Sequence, residues 1–331
     1  MSIQTKIASV LQECRSILLS VHKSPDGDAL GAQLALLFAL EALGKEVTAW
    51  NLDPVPEVYQ FLPGSDRIRT GPVEGRYDAL IVLDADPPRT GLFGAEYPAS
   101  RLINIDHHIT NPRAWELTWL DPSASATGEM VYDLVCVLGV PISRQIAINI
   151  YTSIFTDTGS FRYSSTSPKS MRIAADMIEA GAEPWQVTEQ VYESFAYRRL
   201  KLLGSVLSEM ERTEDGCIAW VVVTEELFRR YGATAEDTEN FVNFVRSVRG
   251  VEVAVLFRQI GENEYKVSLR SKGRVDVTRP ATALGGGGHK NAAGCTISGS
   301  LEQAIGRVIS EIRKSTNSPR EDRSLEYGRR S

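Results

Sequence analysis

The sequence has few cysteines, and none of them lie close together. Among 331 residues there are four cysteines, and no two of them have the CxxC spacing: Cys14, Cys136, Cys217 and Cys295. This pattern argues against a disulfide framework and against a structural zinc site built from thiolates. Such a cysteine content is typical of a reducing compartment, and we expect the protein to be cytoplasmic.

Long apolar runs and an excess of positive charge are also missing. No apolar run approaches the roughly 20 residues that a membrane-spanning helix needs, and the first residues lack the layout of a signal peptide. The net charge is −6 at pH 7, unlike the basic surface of a protein that binds long duplex nucleic acid. We therefore expect neither a membrane nor a long duplex as a partner, and any nucleotide site must be basic only locally.

What the sequence does contain is an alternation of short apolar runs with helical patterns. Runs of strand length occupy residues 15–21, 46–50, 78–83 and 101–105. Strands that alternate with helices predict a doubly wound, mainly parallel α/β sheet. From residue 217 the pattern changes to strands with fewer helices, which predicts a smaller α+β domain.

These changes in pattern predict four parts of the chain. We expect a first domain at 1–184, a helical connector at 185–215, a second domain at 216–316 and a disordered tail at 317–331. The length of the chain agrees with two domains of ordinary size. The tail is polar and charged and has few apolar residues that could anchor it.

All the histidines of the chain lie in polar segments: His22, His107, His108 and His289. His22 follows an apolar run and opens the segment HKSPDGDALG, which places Asp26 and Asp28 at a strand end just before a predicted helix. A surface turn is the alternative interpretation of PDGD. A calcium-binding EF-hand loop is excluded, because leucines would occupy positions that need oxygen ligands.

Further acidic and imidazole side chains follow the next apolar runs. Asp84 ends the run ALIVL, and Asp106, His107 and His108 end the run RLINI. The carboxyl ends of parallel strands meet at one edge of an α/β sheet, where such sheets bind ligands. Asp157 follows an amphipathic helix, and a helix C-cap is the alternative interpretation of its segment.

Together these side chains predict a metal centre. Imidazole and carboxylate groups without thiolates suit Mn²⁺ or Mg²⁺ better than structural zinc. The candidate ligands are too many for a single ion: His22, Asp26, Asp28, Asp84, His107 and Asp157. Two ions that share Asp84 would activate water for attack on phosphorus, which predicts hydrolysis of a phosphate ester. His108 is then the candidate to protonate the leaving oxygen.

The second domain contains the glycine-rich segment GGGGHKNAAG at residues 285–294. We expect a loop in which Gly287 and Gly288, with the side chains of His289 and Lys290, hold a phosphate or a short nucleotide strand. A flexible linker is the alternative interpretation. The segment lacks the GKS or GKT ending of a Walker A loop.

Two arginines are candidate ligands for phosphate. Arg162 lies in SFRYSS and Arg270 lies in VSLRS. A guanidinium group can bind two phosphate oxygens at once. The alternative is that either residue is an ordinary surface arginine.

Five segments now stand in a fixed order: HKSPDGDALG, VLDAD, INIDHH, FTDTGSFRYSST and GGGGHKNAAG. In this order the chain resembles the DHH family of phosphoesterases that carry a DHH-associated C-terminal domain. The resemblance covers residues 10–315. Within the family, the chain is similar to the bacterial branch that degrades very short RNAs (nanoRNA) to mononucleotides and dephosphorylates 3'-phosphoadenosine-5'-phosphate (pAp) to AMP.

The resemblance implies two Mn²⁺ ions, with Mg²⁺ as an alternative. The residues that match ligands of the first ion are His22, Asp26 and Asp84. Those that match ligands of the second ion are Asp28, Asp84, His107 and Asp157. By the same resemblance, Asp106 orients a ligand imidazole and His108 faces the scissile phosphate. The implied catalytic residues are therefore Asp84, Asp106 and His108.

The resemblance also implies how substrate and partners are bound. His289 with its glycine segment, and Arg270 nearby, would bind substrate across a cleft between the two domains. The implied substrates are short single-stranded RNA and small phosphorylated nucleotides. A homodimer built through the first domain is the assembly that the resemblance allows.

Other functions stay open at this point. A manganese inorganic pyrophosphatase shares the metal segments but lacks the GGGGH segment. A RecJ-like exonuclease would need an extended basic groove, which an acidic chain of this length does not suggest. A phosphodiesterase acting on linear or cyclic dinucleotides uses the same chemistry. A nucleotide sensor without turnover would need damaged metal ligands, and none of the candidate ligands is altered.

Overall fold

A computed structural model describes residues 1–92 and 97–316, except for the side chains of His289 and Thr316. The predicted disordered tail at 317–331 lies outside the described residues. The chain forms two compact units, which meet in sequence between Ser194 and Phe195. Among the described residues, no helix is long and apolar enough to cross a membrane.

The first unit is built on a five-stranded sheet in which all neighbouring strands are parallel. Its strands are β1 (Ser16–Ser20), β2 (Glu46–Ala49), β3 (Tyr77–Leu83), β4 (Ala99–Asp106) and β5 (Leu117–Leu120). Their order is β2-β1-β3-β4-β5, so the chain reverses its direction of winding between β1 and β3. The prediction of a parallel, doubly wound sheet is confirmed. In such sheets ligands bind at the carboxyl ends of the two strands that flank the reversal.

The helices of the first unit cover this sheet. They are α1 (Ile3–Glu13), α2 (Gly27–Ala42), α3 (Thr127–Val137), α4 (Arg144–Asp157), α5 (Pro168–Glu179) and α6 (Pro184–Thr188). Helix α2 is apolar around most of its circumference and is almost entirely buried, as a helix in the centre of a core must be. It packs closely on α4, because a Cβ atom at Gly31 would lie 2.4 Å from the carbonyl oxygen of Asn149. This contact brings the first turn of α2 and the last turns of α4 to the same region.

The second unit is built on a six-stranded mixed sheet in the order β10-β11-β9-β8-β7-β6. The strands are β6 (Glu211–Arg212), β7 (Ile218–Val223), β8 (Val253–Gly261), β9 (Glu264–Ser271), β10 (Gly287–His289) and β11 (Ala292–Ser298). Only the pair β7 and β8 is parallel among the described strands of this sheet. The predicted smaller α+β domain is confirmed.

Helices cover both faces of the second sheet. They are α7 (Tyr197–Ser208), α8 (Glu225–Tyr231), α9 (Phe241–Ser247), α10 (Thr278–Ala283) and α11 (Leu301–Thr316). Successive residues of a strand point to opposite faces, so Val253 and Val255 enter the core under α10 and α11, while Ala254 enters the core under α7 and α9. The sheet is therefore buried on both sides.

The residues predicted as a connector, 185–215, include most of α6, a π-helical turn at Glu189–Glu193, α7 and β6. Val187 and Val191 belong to the apolar core of the first unit. Leu202 and Val206 belong to a core of the second unit. The exact domain boundaries and the role of this segment as a connector stay predictions.

Candidate metal centre

His22 lies two residues beyond the end of β1, with its ring almost fully buried. Its Nδ1 is 2.8 Å from the carbonyl oxygen of Lys23, so an Nδ1–H donates to this oxygen and leaves Nε2 as the ligand atom. Nε2 lies 3.5 Å from Asp84 Oδ2 and 3.9 Å from Asp26 Oδ1. A backbone carbonyl that fixes the tautomer is the usual partner of a metal-binding histidine.

Asp26 occupies the N-cap position of α2. Its Oδ1 accepts hydrogen bonds from the backbone N–H groups of Asp28 and Ala29, each at 3.1 Å. Aspartate is a preferred N-cap residue because its oxygen satisfies N–H groups of the first turn. The PDGD segment therefore starts a helix, and this cap holds the Asp26 carboxylate beside His22.

Asp84 follows β3 and is buried, with a backbone φ of 57°. A positive φ is uncommon for a residue with a side chain and costs on the order of 1 kcal/mol or more. Its backbone N–H still donates to the carbonyl oxygen of Ile105 at 3.0 Å. The two carboxylate oxygens face different histidines, with Oδ2 3.5 Å from His22 Nε2 and Oδ1 3.5 Å from His107 Nε2.

Asp28 lies in the first turn of α2 and is buried. Its Oδ2 accepts from the backbone N–H of Thr127 at 2.7 Å, and its Oδ1 accepts from that of Gly128 at 3.0 Å. The hydroxyl of Ser153 also donates to Oδ1. Three donors therefore hold this carboxylate, and Oδ2 lies 3.6 Å from His107 Nε2.

His107 and Asp157 complete this side of the cluster. His107 Nδ1 lies 3.2 Å from the carbonyl oxygen of Ala124, which again leaves Nε2 as the ligand atom. Nε2 is 3.7 Å from Oδ2 of Asp157, the last residue of α4. The last position of α4, for which a C-cap was the alternative interpretation, thus places the Asp157 carboxylate beside the histidine that follows β4.

Asp106, at the end of β4, contacts the imidazole of His108. Its Oδ1 lies 2.6 Å from Nδ1 of His108 and accepts from the backbone N–H of His108 at 3.0 Å. Its Oδ2 accepts from Asn111 Nδ2 at 2.6 Å. The imidazole that Asp106 holds is thus His108, while the carbonyl oxygens of Lys23 and Ala124 are the partners of His22 and His107.

The protonation of these groups reflects how close their charges lie. Burial alone would lower the pKa of His22, but its interaction with Asp84 and the charge of Asp26 raise that pKa to about 9. Burial likewise opposes protonation of His107, and the charges of Asp28, Asp84 and Asp157 raise its pKa to about 9. Without a cation, both imidazoles are therefore protonated at neutral pH.

The carboxylates are shifted in opposite directions. Burial and repulsion by Asp84 and Asp157 raise the pKa of Asp28 well above its usual value. Burial, opposed by the charge of His107, raises the pKa of Asp157 to about 7. The pKa of Asp84 is lowered, because its contacts with His22, His108 and His107 outweigh the effect of burial. Asp84 is thus the most strongly anionic group of the cluster.

Within the described part of the chain, three groups of side chains have ligand atoms close enough to share an ion, all within 4.8 Å of one another. One group is His22, Asp26 and Asp84; another is Asp28, His107 and Asp157; the third is Asp84, His107 and His108. The first contains the three residues expected for one ion, and the second contains three of the four expected for the other, while Asp84 Oδ1 lies 3.5 Å from His107 Nε2. Their role as metal ligands stays a prediction. The donor atoms of these groups are nitrogen and oxygen, and burial and mutual repulsion raise the pKa of some of the carboxylates. Such a set of donors fits divalent cations of the Mn²⁺ and Mg²⁺ type.

The remaining candidate residues are two arginines and the glycine-rich segment. Arg162 is exposed in the turn after α4, and its Nε donates to the carbonyl oxygen of Gly159 at 2.7 Å. Arg270 lies on β9, opposite Ala292 of β11, and its Nη1 donates to the carbonyl oxygen of Leu269. Both arginines stay candidates for phosphate binding.

The glycine-rich segment is not a loop throughout. Gly287, Gly288 and His289 form β10 and pair with β11, so the predicted loop is wrong for these residues, and the turn begins at Lys290. The backbone of this segment lies so close to β11 at Gly286 and Gly288 that a side chain would not fit there. A Cβ atom at Gly286, for example, would lie 2.0 Å from the carbonyl oxygen of Gly294. These glycines therefore have a structural role in the sheet, and binding of substrate by this segment stays a prediction.

Sequence reasoning missed several residues that hold the cluster. Thr127 and Ser153 donate hydrogen bonds to its carboxylates, and Asn111 donates to Asp106. Hydroxyl and amide side chains are common in every domain, so residue type alone does not single them out. Thr127 lies where α3 begins, beside the edge of the sheet. This position is the one signal that could have drawn attention to it.

Comparison with known proteins assigns the family. The DHH family N-terminal domain matches residues 16–154, and the DHHA1 domain matches residues 216–317. The chain is 40% identical over 314 residues to the bifunctional oligoribonuclease and PAP phosphatase NrnA of Thermus thermophilus, and the match covers 93% of each protein. It is 27% identical over 298 residues to the protein of the same name from Bacillus subtilis, covering 89% of this chain and 93% of the relative.

Solved structures show likeness of fold. The crystal structure of an exopolyphosphatase-related protein from Bacteroides fragilis has a TM-score of 0.89 at 29% identity, covering 95% of this chain and 96% of that one. The exonuclease RecJ bound to manganese has a TM-score of 0.52 at 16% identity, covers 96% of both chains, and shows likeness of fold alone. The resemblance drawn from five sequence segments is confirmed, and the chain belongs to the DHH family, with a DHHA1 domain after its DHH domain.

Proposed function

We propose that the protein is a metal-dependent phosphoesterase that shortens RNAs of a few nucleotides to mononucleotides and converts pAp to AMP. The observation that carries this proposal is the position of Asp84, whose two oxygens face His22 and His107 of two adjacent donor groups. Relatives that are named oligoribonuclease and PAP phosphatase support the choice of substrates.

The proposed cofactor is a pair of Mn²⁺ ions, with Mg²⁺ as the alternative. One ion would be held by His22, Asp26 and Asp84. The other would be held by Asp28, Asp84, His107 and Asp157. When bound, such ions lower the pKa of water and neutralise negative charge on a phosphate group.

His108 is the proposed catalytic acid. Its Nδ1–H donates to Asp106, which leaves Nε2 as the ring atom that can pass a proton to the leaving oxygen. Burial lowers the pKa of His108, but the hydrogen bond to Asp106 and the charge of Asp84 raise it overall. The raised pKa favours the protonated form of the ring, which a general acid requires.

Substrate contacts are proposed on both units. Arg162 would bind phosphate on the first unit. On the second unit the proposed contacts are Arg270, Gly287, Gly288, His289 and Lys290. Binding of the substrate between the two domains, a cytoplasmic location and a homodimer through the first domain are further parts of the proposal.

The proposal is tested with the purified protein and Mn²⁺. We expect release of phosphate from pAp and shortening of a five-nucleotide RNA, and we expect the Asp84→Asn variant to lose both activities. Asp176→Asn is the matched control, since Asp176 is a carboxylate of the same unit that contacts Tyr132 on the outside of α3. Binding of pAp without any product, in the presence of Mn²⁺, would instead favour a nucleotide sensor.

A further inference from the structure

We propose that Thr127 is a positioning residue of the metal centre, which sets the carboxylates of Asp84 and Asp28 before any cation arrives. This inference rests on the proposed function, because it takes both carboxylates to be metal ligands. Thr127 is fully buried at the first position of α3 and lies outside the three donor groups. Thr127 therefore connects a ligand of each donor group, Asp84 and Asp28, to the N-terminus of α3.

The hydroxyl of Thr127 controls the rotation of the Asp84 carboxylate. Its Oγ1 donates to Asp84 Oδ1 at 2.9 Å. The other oxygen, Oδ2, then faces His22 Nε2 at 3.5 Å. Because the two oxygens turn together about one bond, holding Oδ1 also sets the direction of Oδ2. One hydrogen bond thus keeps one oxygen of Asp84 available to each donor group.

The backbone of the same residue holds Asp28. The N-cap residue of α3 is Ala126, which has no side chain that could accept from the first turn. The N–H groups of Thr127 and Gly128 donate instead to the two oxygens of Asp28, at 2.7 Å and 3.0 Å. Asp28 is therefore the cap of a helix that begins about a hundred residues later in the chain. Unpaired N–H groups and the helix dipole both favour a carboxylate at this place.

The close packing of α3 on α4 completes the arrangement. Ser153 of α4 donates its hydroxyl to Asp28 Oδ1, the oxygen that also accepts from the Gly128 N–H. A Cβ atom at position 128 would lie 1.9 Å from Ser153 Oγ, so only glycine leaves room for this contact. Asp28 is thus held by Thr127, Gly128 and Ser153 together.

These donors act against the repulsion within the cluster. Asp28 Oδ2 and Asp84 Oδ1 lie 3.6 Å and 3.5 Å from the same atom, His107 Nε2, so the two carboxylates lie near each other and repel each other. Fixed donors that keep ligands in place raise metal affinity, and loss of such a donor commonly weakens binding 10- to 100-fold. Removing the Thr127 hydroxyl leaves Asp84 free to rotate, while the backbone bonds to Asp28 remain.

The test compares Thr127→Val, which has the same shape without the hydroxyl, with Thr127→Ser, which keeps the hydroxyl. Thr152→Val is the matched control, because Thr152 is also fully buried but donates to the Ile148 carbonyl oxygen of its own helix. Binding of Mn²⁺ alone is measured by calorimetry on the full-length protein, after circular dichroism has shown that each variant is folded.

We expect Thr127→Val to bind Mn²⁺ about 10- to 100-fold more weakly, with Thr127→Ser and Thr152→Val within about threefold of the unmodified protein. Equal Mn²⁺ affinity of Thr127→Val and the unmodified protein would overturn the inference and leave the proposed function standing. Absence of Mn²⁺ binding by the unmodified protein would overturn both. If Thr127→Val does not fold, Ser153→Ala replaces it, with the same weakening expected through Asp28.

Discussion

His108 Nδ1 lies 2.6 Å from Asp106 Oδ1, and the backbone N–H of His108 donates to the same oxygen. Asp106 is completely buried, and Asn111 donates to its second oxygen. A buried carboxylate that holds the Nδ1–H of a histidine fixes the ring and favours its protonated form, as in the aspartate–histidine pairs of other hydrolases. The chain therefore builds its proposed acid from two residues of one segment, directly beside the proposed ligands His107 and Asp84.

The first prediction concerns Asp106→Asn. The amide keeps the size of the side chain but loses the charge, so His108 is less often protonated and its orientation is less certain. We expect kcat for pAp to fall by about 10²- to 10⁴-fold with little change in KM. Mn²⁺ affinity should stay nearly unchanged, because Asp106 lies outside the donor groups. Steady-state kinetics and Mn²⁺ titration of the same preparation measure both quantities.

Asp121→Asn is the control for this variant, because Asp121 follows the neighbouring strand β5 and accepts from Ser123 at an exposed turn. It should leave kcat unchanged. An Asp106→Asn variant with full kcat would remove His108 from the role of general acid. A variant that lost Mn²⁺ instead of kcat would place Asp106 in the metal centre.

The second prediction concerns Asn111, which supports Asp106 from the other side. Its Nδ2 donates to Asp106 Oδ2 at 2.6 Å and to Asn104 Oδ1 at 2.8 Å. Asn111→Ala leaves two buried oxygens short of a donor, which typically costs about 1–3 kcal/mol of stability. We expect kcat to fall about tenfold, as is common for residues that orient a functional group. Urea unfolding and steady-state kinetics measure the two effects.

Because Asn111 would act through Asp106, the two changes should not be additive. In the double variant Asp106→Asn with Asn111→Ala, we expect kcat close to that of Asp106→Asn alone. Independent effects, with kcat falling by the product of the two factors, would show that Asn111 contributes by another route.

The positions of the main ligands could be predicted because one rule of sheet topology governs them. His22, Asp84 and the segment Asp106–His108 each follow an apolar strand, and parallel strands end at the same edge. Sequence alone could also recognise Asp157, through its place at the end of an amphipathic helix. The alternation of strands and helices predicted both domains, since the spacing of apolar residues differs between the two elements.

Contacts between distant segments could not be predicted in the same way. Thr127 and Ser153 reach Asp28 only because α2 packs on α3 and α4, and nothing near these residues in sequence reports that packing. Sequence also left open which imidazole Asp106 orients, because the choice between the neighbouring rings depends on where the Ala124 carbonyl lies. The strand β10 was missed because four glycines give no strand pattern, while their backbone can still pair closely.

The third prediction concerns stability without metal. The pKa values of His22 and His107 are raised to about 9, above the ordinary value of 6.5, so the folded state binds protons more tightly than the unfolded state. Their contribution to stability is fully present below pH 6.5 and is lost as the pH rises through about 9. The raised pKa of Asp157, about 7, acts in the same direction at lower pH.

We therefore expect the free energy of unfolding of the metal-free protein to fall between pH 6.5 and pH 9 by a few kcal/mol, on the order that such pKa shifts imply. Urea unfolding in the presence of a chelator measures it. Excess Mn²⁺ should remove most of this dependence, since the cations replace the protons. A metal-free protein that became more stable over this range would contradict the charge arrangement derived from the structure.

The last prediction is that metal binding releases protons. A cation can bind only to the neutral form of His22 and His107, yet both are protonated at pH 7, and Asp157 with its pKa of about 7 is about half protonated. We expect saturation with Mn²⁺ at pH 7 to release about two to three protons per chain, and clearly fewer above pH 9.5. Calorimetry in buffers with different enthalpies of ionisation counts these protons directly. His22→Gln should release about one proton fewer, because glutamine carries none. If the number of protons released did not change with pH, the imidazoles would be neutral before the cation binds. In that case, ion pairs of His22 and His107 with Asp84 would not hold the metal-free cluster together.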